Sequence, residues 1–237
     1  MHLVTLSFDD GFRKSCQKIA RAYESRKLAA AFNVLACENR IDLLPPEDRY
    51  MRFTPLGDFA FWNELQARGH EVMPHGYRHA NKSRLPFAEG QALIEKCLDI
   101  FAEKLHGFDA TQAVFSFPYN ATTTELEAWL PSQVRAFRGG SSEAINPLPA
   151  PELVQLGTSG FGPGNCDEHL EGEVQRLLKT PHGWLVYCAH GIDDEGWGPL
   201  SDTYLNKLLD RLLALPSVKI IPAGAALKRW REWSGNL

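Results

Sequence analysis

The sequence predicts an α/β fold, a single-domain distorted (β/α) barrel over residues 1–237, from three observations. About eight short apolar segments have the composition of strands and alternate with segments of helical periodicity. A chain of 237 residues has the length of one such barrel, and no linker divides it. Polar and titratable residues directly follow several strand segments, which is where parallel barrels carry their active sites.

The first half of the chain alternates between strand and helix. Apolar runs predict strands at 3–8, 29–35, 71–74 and 113–117. Between them, apolar residues at helical spacing predict helices around 16–23, 59–65 and 93–105. The stretch from Cys37 to Asp58 breaks the pattern and is too long for an ordinary connection, so we expect a binding loop there.

The second half continues the alternation to the end of the chain. Helices are predicted at 124–130, 167–178 and 204–212, the last of them strongly amphipathic. Strands are predicted at 134–137, 153–156, 184–189 and 218–221, before a basic tail that contains tryptophan. Parallel strands joined by right-handed crossovers follow from this order.

Composition and charge exclude several classes of partner. A formal net charge of −4 gives no general attraction to nucleic acid or to an anionic membrane. No apolar run reaches membrane-spanning length, and no secretory leader pattern opens the chain. The five cysteines are scattered and odd in number, which suits reduced thiols, so we expect a cytoplasmic protein. The sequence carries no prediction of oligomeric state.

Two adjacent carboxylates, Asp9 and Asp10, follow the first strand and precede Gly11, which permits a sharp turn. Neighbouring buried acids repel each other and lose hydration unless a cation lies between them, or unless one binds a metal while the other acts as a base. The alternative is that they cap the helix that follows, since Asp is a favoured N-cap residue.

His75 and His79 form the second informative motif, directly after the third strand. If the segment is helical, residues four apart lie on one face, so the pair could hold one ion with Asp10 as third ligand. Catalytic zinc accepts imidazole and carboxylate ligands in sets of three and keeps a position open for water or substrate. The alternative is two unrelated surface histidines.

These motifs resemble the NodB-like polysaccharide deacetylases, also called carbohydrate esterase family four. Residues 7–11 are similar to that family's first motif and residues 75–79 to its metal-binding histidine motif. Residues 117–119 match part of the third motif, and residues 189–190 match the last. The likeness extends over nearly the whole chain and implies a distorted barrel of the polysaccharide deacetylase type.

The resemblance also implies roles for individual residues. The implied ligands of a divalent metal, with zinc the expected ion, are Asp10, His75 and His79. Asp9 would be the general base, the backbone N–H of Tyr119 would stabilise the oxyanion together with the metal, and His190 would protonate the leaving amine. The alternatives are that Tyr119 is an aromatic side chain on the barrel rim and that His190 is a buried histidine bonded to a carbonyl.

The sequence departs from the family pattern at three places. Ser116 stands where the family carries an arginine that pairs with the catalytic aspartate, and Arg138 in the next strand could reach the same space. A solvated surface charge is the alternative for Arg138. The aspartate-rich fourth motif has no clear counterpart, and Gly76 replaces the hydroxyl residue usual between the two histidines.

Three residues are candidates for contact with substrate. Trp197 lies in a glycine- and proline-containing loop over the mouth of the barrel and could stack on a sugar, or could simply close the loop. Pro118 follows the strand 113–117, and Arg138 stands at the end of the next strand. Both are expected at the same site.

The predicted function is metal-dependent hydrolysis that removes an N-acyl group, in the first instance acetyl, from an amino sugar or sugar-containing substrate. A soluble oligosaccharide, a nucleotide- or lipid-linked sugar and a small non-sugar amide all remain open as substrates. The alternative is a weak or inactive deacetylase-like barrel that binds carbohydrate or a partner. The missing arginine and fourth motif favour that alternative, while the intact acids and histidines oppose it.

Overall fold

Strand β1, His2–Phe8, is the centre of the larger of two sheets in the computed structural model, which describes residues 1–45, 47–48, 51, 53–141, 143 and 145–234. It pairs in parallel with β2 (Ala31–Val34), with β9 (Gly183–Ala189) and, at its amino end, with β10 (Val218–Ile220). β3 (Glu71–Pro74) extends this sheet beyond β2. All seven residues of β1 are buried, including the polar residues His2, Thr5 and Ser7.

The smaller sheet contains β4 (Val114–Ser116), β5 (Ala136–Arg138) and β7 (Gln155–Leu156), all parallel. Two further short strands join the larger sheet through β9: β6 (Ile145–Asn146) is antiparallel to it, and β8 (Ser159–Gly160) is parallel.

The helices before β10 lie in the connections between strands, as the alternating sequence pattern requires, and the last two follow β10. In chain order they are α1 (Arg13–Glu24), α2 (Phe59–Ala67), α3 (Phe87–Lys104), α4 (Thr124–Trp129), α5 (Cys166–Leu178), α6 (Asp202–Leu213), α7 (Ala223–Lys228) and α8 (Trp230–Ser234). Short 3₁₀ turns lie in the connections, one of them at Ile41–Leu43 in the expected binding loop. Within the described part of the chain, no helix has the length and apolarity to cross a membrane.

The predicted α/β fold is confirmed, with the strands divided between two sheets. In the described residues no strand ladder joins β3 to β4; a side-chain hydrogen bond from His75 Nδ1 to the carbonyl oxygen of Ser116 spans that gap at 3.0 Å. The strands β6 and β8 were not predicted because two residues are too few to show a period. The fifth strand ends at Arg138, one residue later than predicted.

A buried hydroxyl links β1 to β9 and to the residue that follows β10. Thr5 in β1 is 1% exposed; its Oγ1 donates to the carbonyl oxygen of Ile221 at 2.6 Å and accepts from Trp184 Nε1 at 2.9 Å. Trp184 is itself fully buried, so its indole N–H depends on this partner.

Replacing Thr5 with Val keeps the shape of the side chain but leaves the indole N–H of Trp184 without its acceptor. We expect the free energy of unfolding, measured in urea, to fall by about 1–3 kcal/mol. Thr203→Val, the same change at an exposed position of α6, is the control and should stay within about 0.5 kcal/mol of the parent. Equal losses in the two variants would contradict the role assigned to Thr5.

Candidate functional site

The carboxyl ends of β1, β3 and β9 bring the predicted acids and histidines to one cavity of about 600 Å³. Its lining includes Asp9, Glu47, Asp48, His75, His79, Phe117, Tyr119, Asn120, Arg138, Thr158, Ser159, Gly160, Cys188, His190 and Trp197. The convergence follows from parallel pairing, because parallel strands present the same end at the same edge.

The turn after β1 sends its two carboxylates to different partners. Asp10 has a φ of 72° and Gly11 one of 89°, so the chain is left-handed immediately after Asp9. Helix α1 begins at Arg13 with Phe12 at its N-cap, so the alternative that the acids cap this helix is wrong. Both acids are almost fully buried.

Asp10 faces the two predicted histidine ligands, which lie in an irregular segment after β3 and not on one face of a helix. Its Oδ1 lies 3.5 Å from His75 Nε2 and 3.3 Å from His79 Nε2, and the three ligating atoms lie within 4.8 Å of one another. Neither carboxylate oxygen of Asp10 has a hydrogen-bond partner among the described residues, although both are buried. An uncompensated buried carboxylate is costly, so this arrangement calls for a cation.

The far nitrogen of each imidazole is held by an acceptor. His75 Nδ1 donates to the carbonyl oxygen of Ser116 at 3.0 Å, and His79 Nδ1 lies 2.7 Å from Asp48 Oδ2. A proton on Nδ1 leaves the Nε2 lone pair of each ring directed at Asp10. Metal-binding histidines are fixed in this way by outer partners.

The charge states at this cluster also suit a divalent metal. Burial raises the pKa of Asp10, but the neighbouring His79 and His75 outweigh it and hold that pKa below its usual range, so the carboxyl is ionised. Burial lowers the pKa of His75, which favours the neutral imidazole that a metal requires. A bound metal would replace the protons of the two rings, because two neutral imidazoles and one carboxylate are a donor set that zinc accepts. The residues present therefore fit the expected ion.

Asp9 is bound by a different group of residues. Arg138 donates to its Oδ2 in a buried ion pair, and Asn33 Nδ2 donates to its Oδ1 at 2.9 Å. Arg138 is 4% exposed, so the alternative of a solvated surface charge is wrong. Burial raises the pKa of Asp9, but the charges of Arg138, His75 and His190 lower it by more. The pKa is therefore below its usual range, and the carboxyl is ionised.

The register of the smaller sheet explains how Arg138 reaches the place expected of a residue at 116. Ser116 in β4 and Arg138 in β5 are direct partners in the parallel ladder, and their side chains meet where Arg138 Nε donates to Ser116 Oγ at 3.2 Å. The serine leaves room for the guanidinium group. The positive charge is thus supplied from the adjacent strand.

His190 lies close to Asp9 and Cys188, and the ligating atoms of the three residues are within 4.8 Å of one another. Its Nε2 is 4.0 Å from Cys188 Sγ, and Trp197 packs edge-on against the imidazole with ring centroids 5.6 Å apart. The Nδ1 atom is buried and has no hydrogen-bond partner among the described residues. No carboxylate therefore orients His190 within the described part of the chain, which agrees with the missing fourth motif.

Tyr119 and Pro118 differ in their placement. Tyr119 is 43% exposed on the rim, has a φ of 59°, and packs its ring 4.5 Å from that of His79. Pro118 is buried next to Gly76, which lies between the two histidines in sequence. It is not among the described residues that line the cavity. Its expected contact with substrate stays a prediction that this placement does not favour.

Trp197 lines the cavity and is 43% exposed. Its loop is anchored at Glu195, a buried residue whose Oε2 accepts from the backbone N–H of Ser15 at 2.8 Å and from its hydroxyl at 2.6 Å. The indole lies directly against the backbone of Gly162, where a Cβ would be 2.6 Å away. The Trp197 side chain is therefore packed against Gly162 on one side and exposed to the cavity on the other.

Several site residues were not singled out from the sequence. Asn33 and Cys188 are polar or ligating groups inside apolar strands, and Cys188 is two residues before His190, on the same face; that pattern was a usable signal. Asp48 and Glu47 lie in an irregular loop where no periodicity marks them. Residues 46, 49, 50 and 52 of the predicted loop 37–58 lie outside the described residues.

The family profile described as polysaccharide deacetylase matches residues 1–131. No curated protein matches the sequence significantly. Two structural relatives are the peptidoglycan deacetylase of Bacillus subtilis and the catalytic domain of peptidoglycan N-acetylglucosamine deacetylase from Eubacterium rectale. The first is 17% identical, with a TM-score of 0.55, and the alignment covers 98% of this chain and 94% of that one. The second is also 17% identical, with a TM-score of 0.60, and the alignment covers 93% of this chain and 87% of that one.

A third relative is described as a pseudoenzyme of carbohydrate esterase family four from Bacillus anthracis. It is 14% identical, with a TM-score of 0.58, and the alignment covers 95% of this chain and 65% of that one. At these identities the structural comparisons establish the common fold.

Exchanging the two partners Ser116 and Arg138 tests the origin of the charge beside Asp9. We expect Arg138→Ser to lower the free energy of unfolding in urea at pH 7 by about 3–5 kcal/mol, because a buried carboxylate loses its partner. The double variant Ser116→Arg/Arg138→Ser should recover a large part of that loss. A double variant as unstable as the single one would contradict the exchange.

Metal binding tests the cluster around Asp10. The purified chain, stripped with chelator and titrated with zinc in a calorimeter, should bind one ion at this site, and Asp10→Asn should abolish that binding. Asp194→Asn, which alters an exposed acid paired with Lys14, is the matched control and should bind like the parent. Unchanged binding in Asp10→Asn would place the ion elsewhere.

Proposed function

Because the chain belongs to the polysaccharide deacetylase family, we propose that it is a metal-dependent hydrolase that removes an N-acetyl group from an amino sugar or sugar-containing substrate. One observation carries the proposal: the two adjacent acids have separate partners. Asp10 faces two imidazoles with unpartnered oxygens, while Asp9 is held by a cation and an amide.

The metal, for which zinc is the expected ion, would be held by Asp10, His75 and His79. When bound, it polarises the amide carbonyl and lowers the pKa of a coordinated water. The other steps fall to side chains and backbone groups of this chain.

Asp9 accepts the proton of the attacking water. Arg138 keeps its carboxylate ionised and donates to Oδ2, while Asn33 donates to Oδ1. Oδ2 also lies 3.8 Å from His75 Nε2, on the side of the metal ligands. As the C–N bond breaks, His190 donates a proton to the departing nitrogen, and acetate and a free amine are released. The backbone N–H of Tyr119 is the proposed donor to the oxyanion.

The shape of the cavity supports a sugar as substrate. Its lining combines the half-exposed aromatic side chains of Trp197 and Tyr119 with the polar residues Asn120, Thr158 and Ser159. A cavity lined by both aromatic faces and hydrogen-bonding groups suits the apolar and hydroxyl surfaces of a sugar ring. The five cysteines are free, which supports the further proposal of a reducing, cytoplasmic location.

A second candidate function is a weak or inactive barrel that binds carbohydrate or a partner. The observation that favours it is the imidazole of His190, whose Nδ1 lacks an orienting partner among the described residues. A general acid without such a partner is less well positioned. The structural relative from Bacillus anthracis is a pseudoenzyme, which gives this candidate further weight.

Acetate release from a panel of N-acetylated sugars, with metal-loaded protein, decides between the two candidates. Turnover should require the metal, and Asp9→Asn should reduce it by about 10²–10⁴-fold because the base is lost. The same variant should still bind zinc, since Asp10 and both histidines are intact. Metal binding without turnover in the parent, on sugars and small amides alike, would support the binding module instead.

A further inference from the structure

We propose that Asp48, in the loop between β2 and α2, is a positioning residue that sets the metal affinity of the site and ties Tyr119 to the ligand His79. The inference rests on the metal site of the proposed function but not on the reaction. It assigns a task to the loop 37–58, which the family motifs leave without one.

Asp48 uses both of its carboxylate oxygens on the site. Oδ2 lies 2.7 Å from His79 Nδ1, and Oδ1 accepts from the Tyr119 hydroxyl at 2.6 Å. The side chain is 2% exposed, so both bonds are formed away from water. One buried group therefore links the third metal ligand, the rim of the cavity and the loop.

The two residues that Asp48 holds have strained backbones. His79 has a φ of 42° and Tyr119 one of 59°, both in the left-handed region that non-glycine residues rarely adopt. Such conformations persist where the surroundings enforce them. The hydrogen bonds to Asp48, together with the contact between the two rings, supply that enforcement on the side-chain side.

Asp48 also contributes to metal binding through charge and orientation. A carboxylate on Nδ1 fixes the tautomer of His79 and makes Nε2 a stronger donor to a metal. The equivalent partner of His75 is a neutral main-chain carbonyl, that of Ser116. The two histidines are therefore supported unequally, and a side-chain substitution can remove the support of His79 alone.

The test is the zinc dissociation constant, measured by competition with a chromophoric chelator. We expect Asp48→Asn to weaken zinc binding by about 10–100-fold, the range for loss of an outer partner of a metal ligand. Asp42→Asn changes an exposed acid of the same loop, paired with Arg40, and should bind like the parent. Tyr119→Phe removes the hydrogen bond from the Tyr119 hydroxyl to Asp48. The zinc dissociation constant should stay within about threefold of the parent value, because the hydrogen bond from His79 to Asp48 remains.

Several outcomes would overturn the proposal. A folded Asp48→Asn variant that binds zinc within twofold of the parent refutes it, even if its unfolding free energy without metal is reduced, since that pattern indicates a structural role alone. If Asp48→Asn does not fold, Asp48→Glu, which keeps the charge but displaces the carboxylate, should bind zinc more weakly than the parent; parental binding would refute the proposal.

The result is distinct from a failure of the proposed function. A parent protein that binds zinc but releases no acetate removes the proposed activity and leaves the role of Asp48 to be judged by the dissociation constants. An active parent with an unaffected Asp48→Asn variant removes the role of Asp48 alone.

Discussion

Two neighbouring carboxylates cannot both be buried and ionised unless each has its own compensation, and the site is organised by that constraint. The left-handed turn at Asp10 separates them: Asp9 is directed to Arg138 and Asn33, and Asp10 to the two imidazoles. Compensation of Asp9 is complete within the chain. Compensation of Asp10 is not, because its oxygens have no donor among the described residues. We propose that this difference separates the base, Asp9, from the metal ligand, Asp10.

The position of Arg138 shows how a parallel sheet can supply one charge from either of two strands. Direct partners in a parallel ladder lie side by side and project to the same face, so a guanidinium at 138 and a small hydroxyl at 116 fill the space that an arginine at 116 would fill. No neighbouring strand supplies a substitute in this way for His190, whose Nδ1 has no orienting carboxylate among the described residues. The basic half of the proposed reaction is therefore better supported than the acidic half.

Sequence reasoning predicted the parts of the site that depend on strand ends. Asp9, Asp10, His75 and His190 follow β1, β3 and β9 directly, and parallel pairing alone brings them together. Arg138 was suggested by the serine at 116, although it was also expected to contact substrate. Asp48 could not be predicted, since its loop has no period and its contacts depend on how that loop folds over the site. Pro118 was placed at the substrate from its neighbours in sequence; it packs next to Gly76, and its contact with substrate stays a prediction.

The most direct test of the division between the two acids is anomalous diffraction at the zinc edge from crystals grown with the metal. The structure predicts one strong peak at about 2.0–2.2 Å from an oxygen of Asp10 and from the Nε2 atoms of His75 and His79. Asp9, Cys188 and His190 form a second group whose ligating atoms lie within 4.8 Å of one another. A peak there, with none at Asp10, would contradict the assignment of Asp10 as ligand and Asp9 as base.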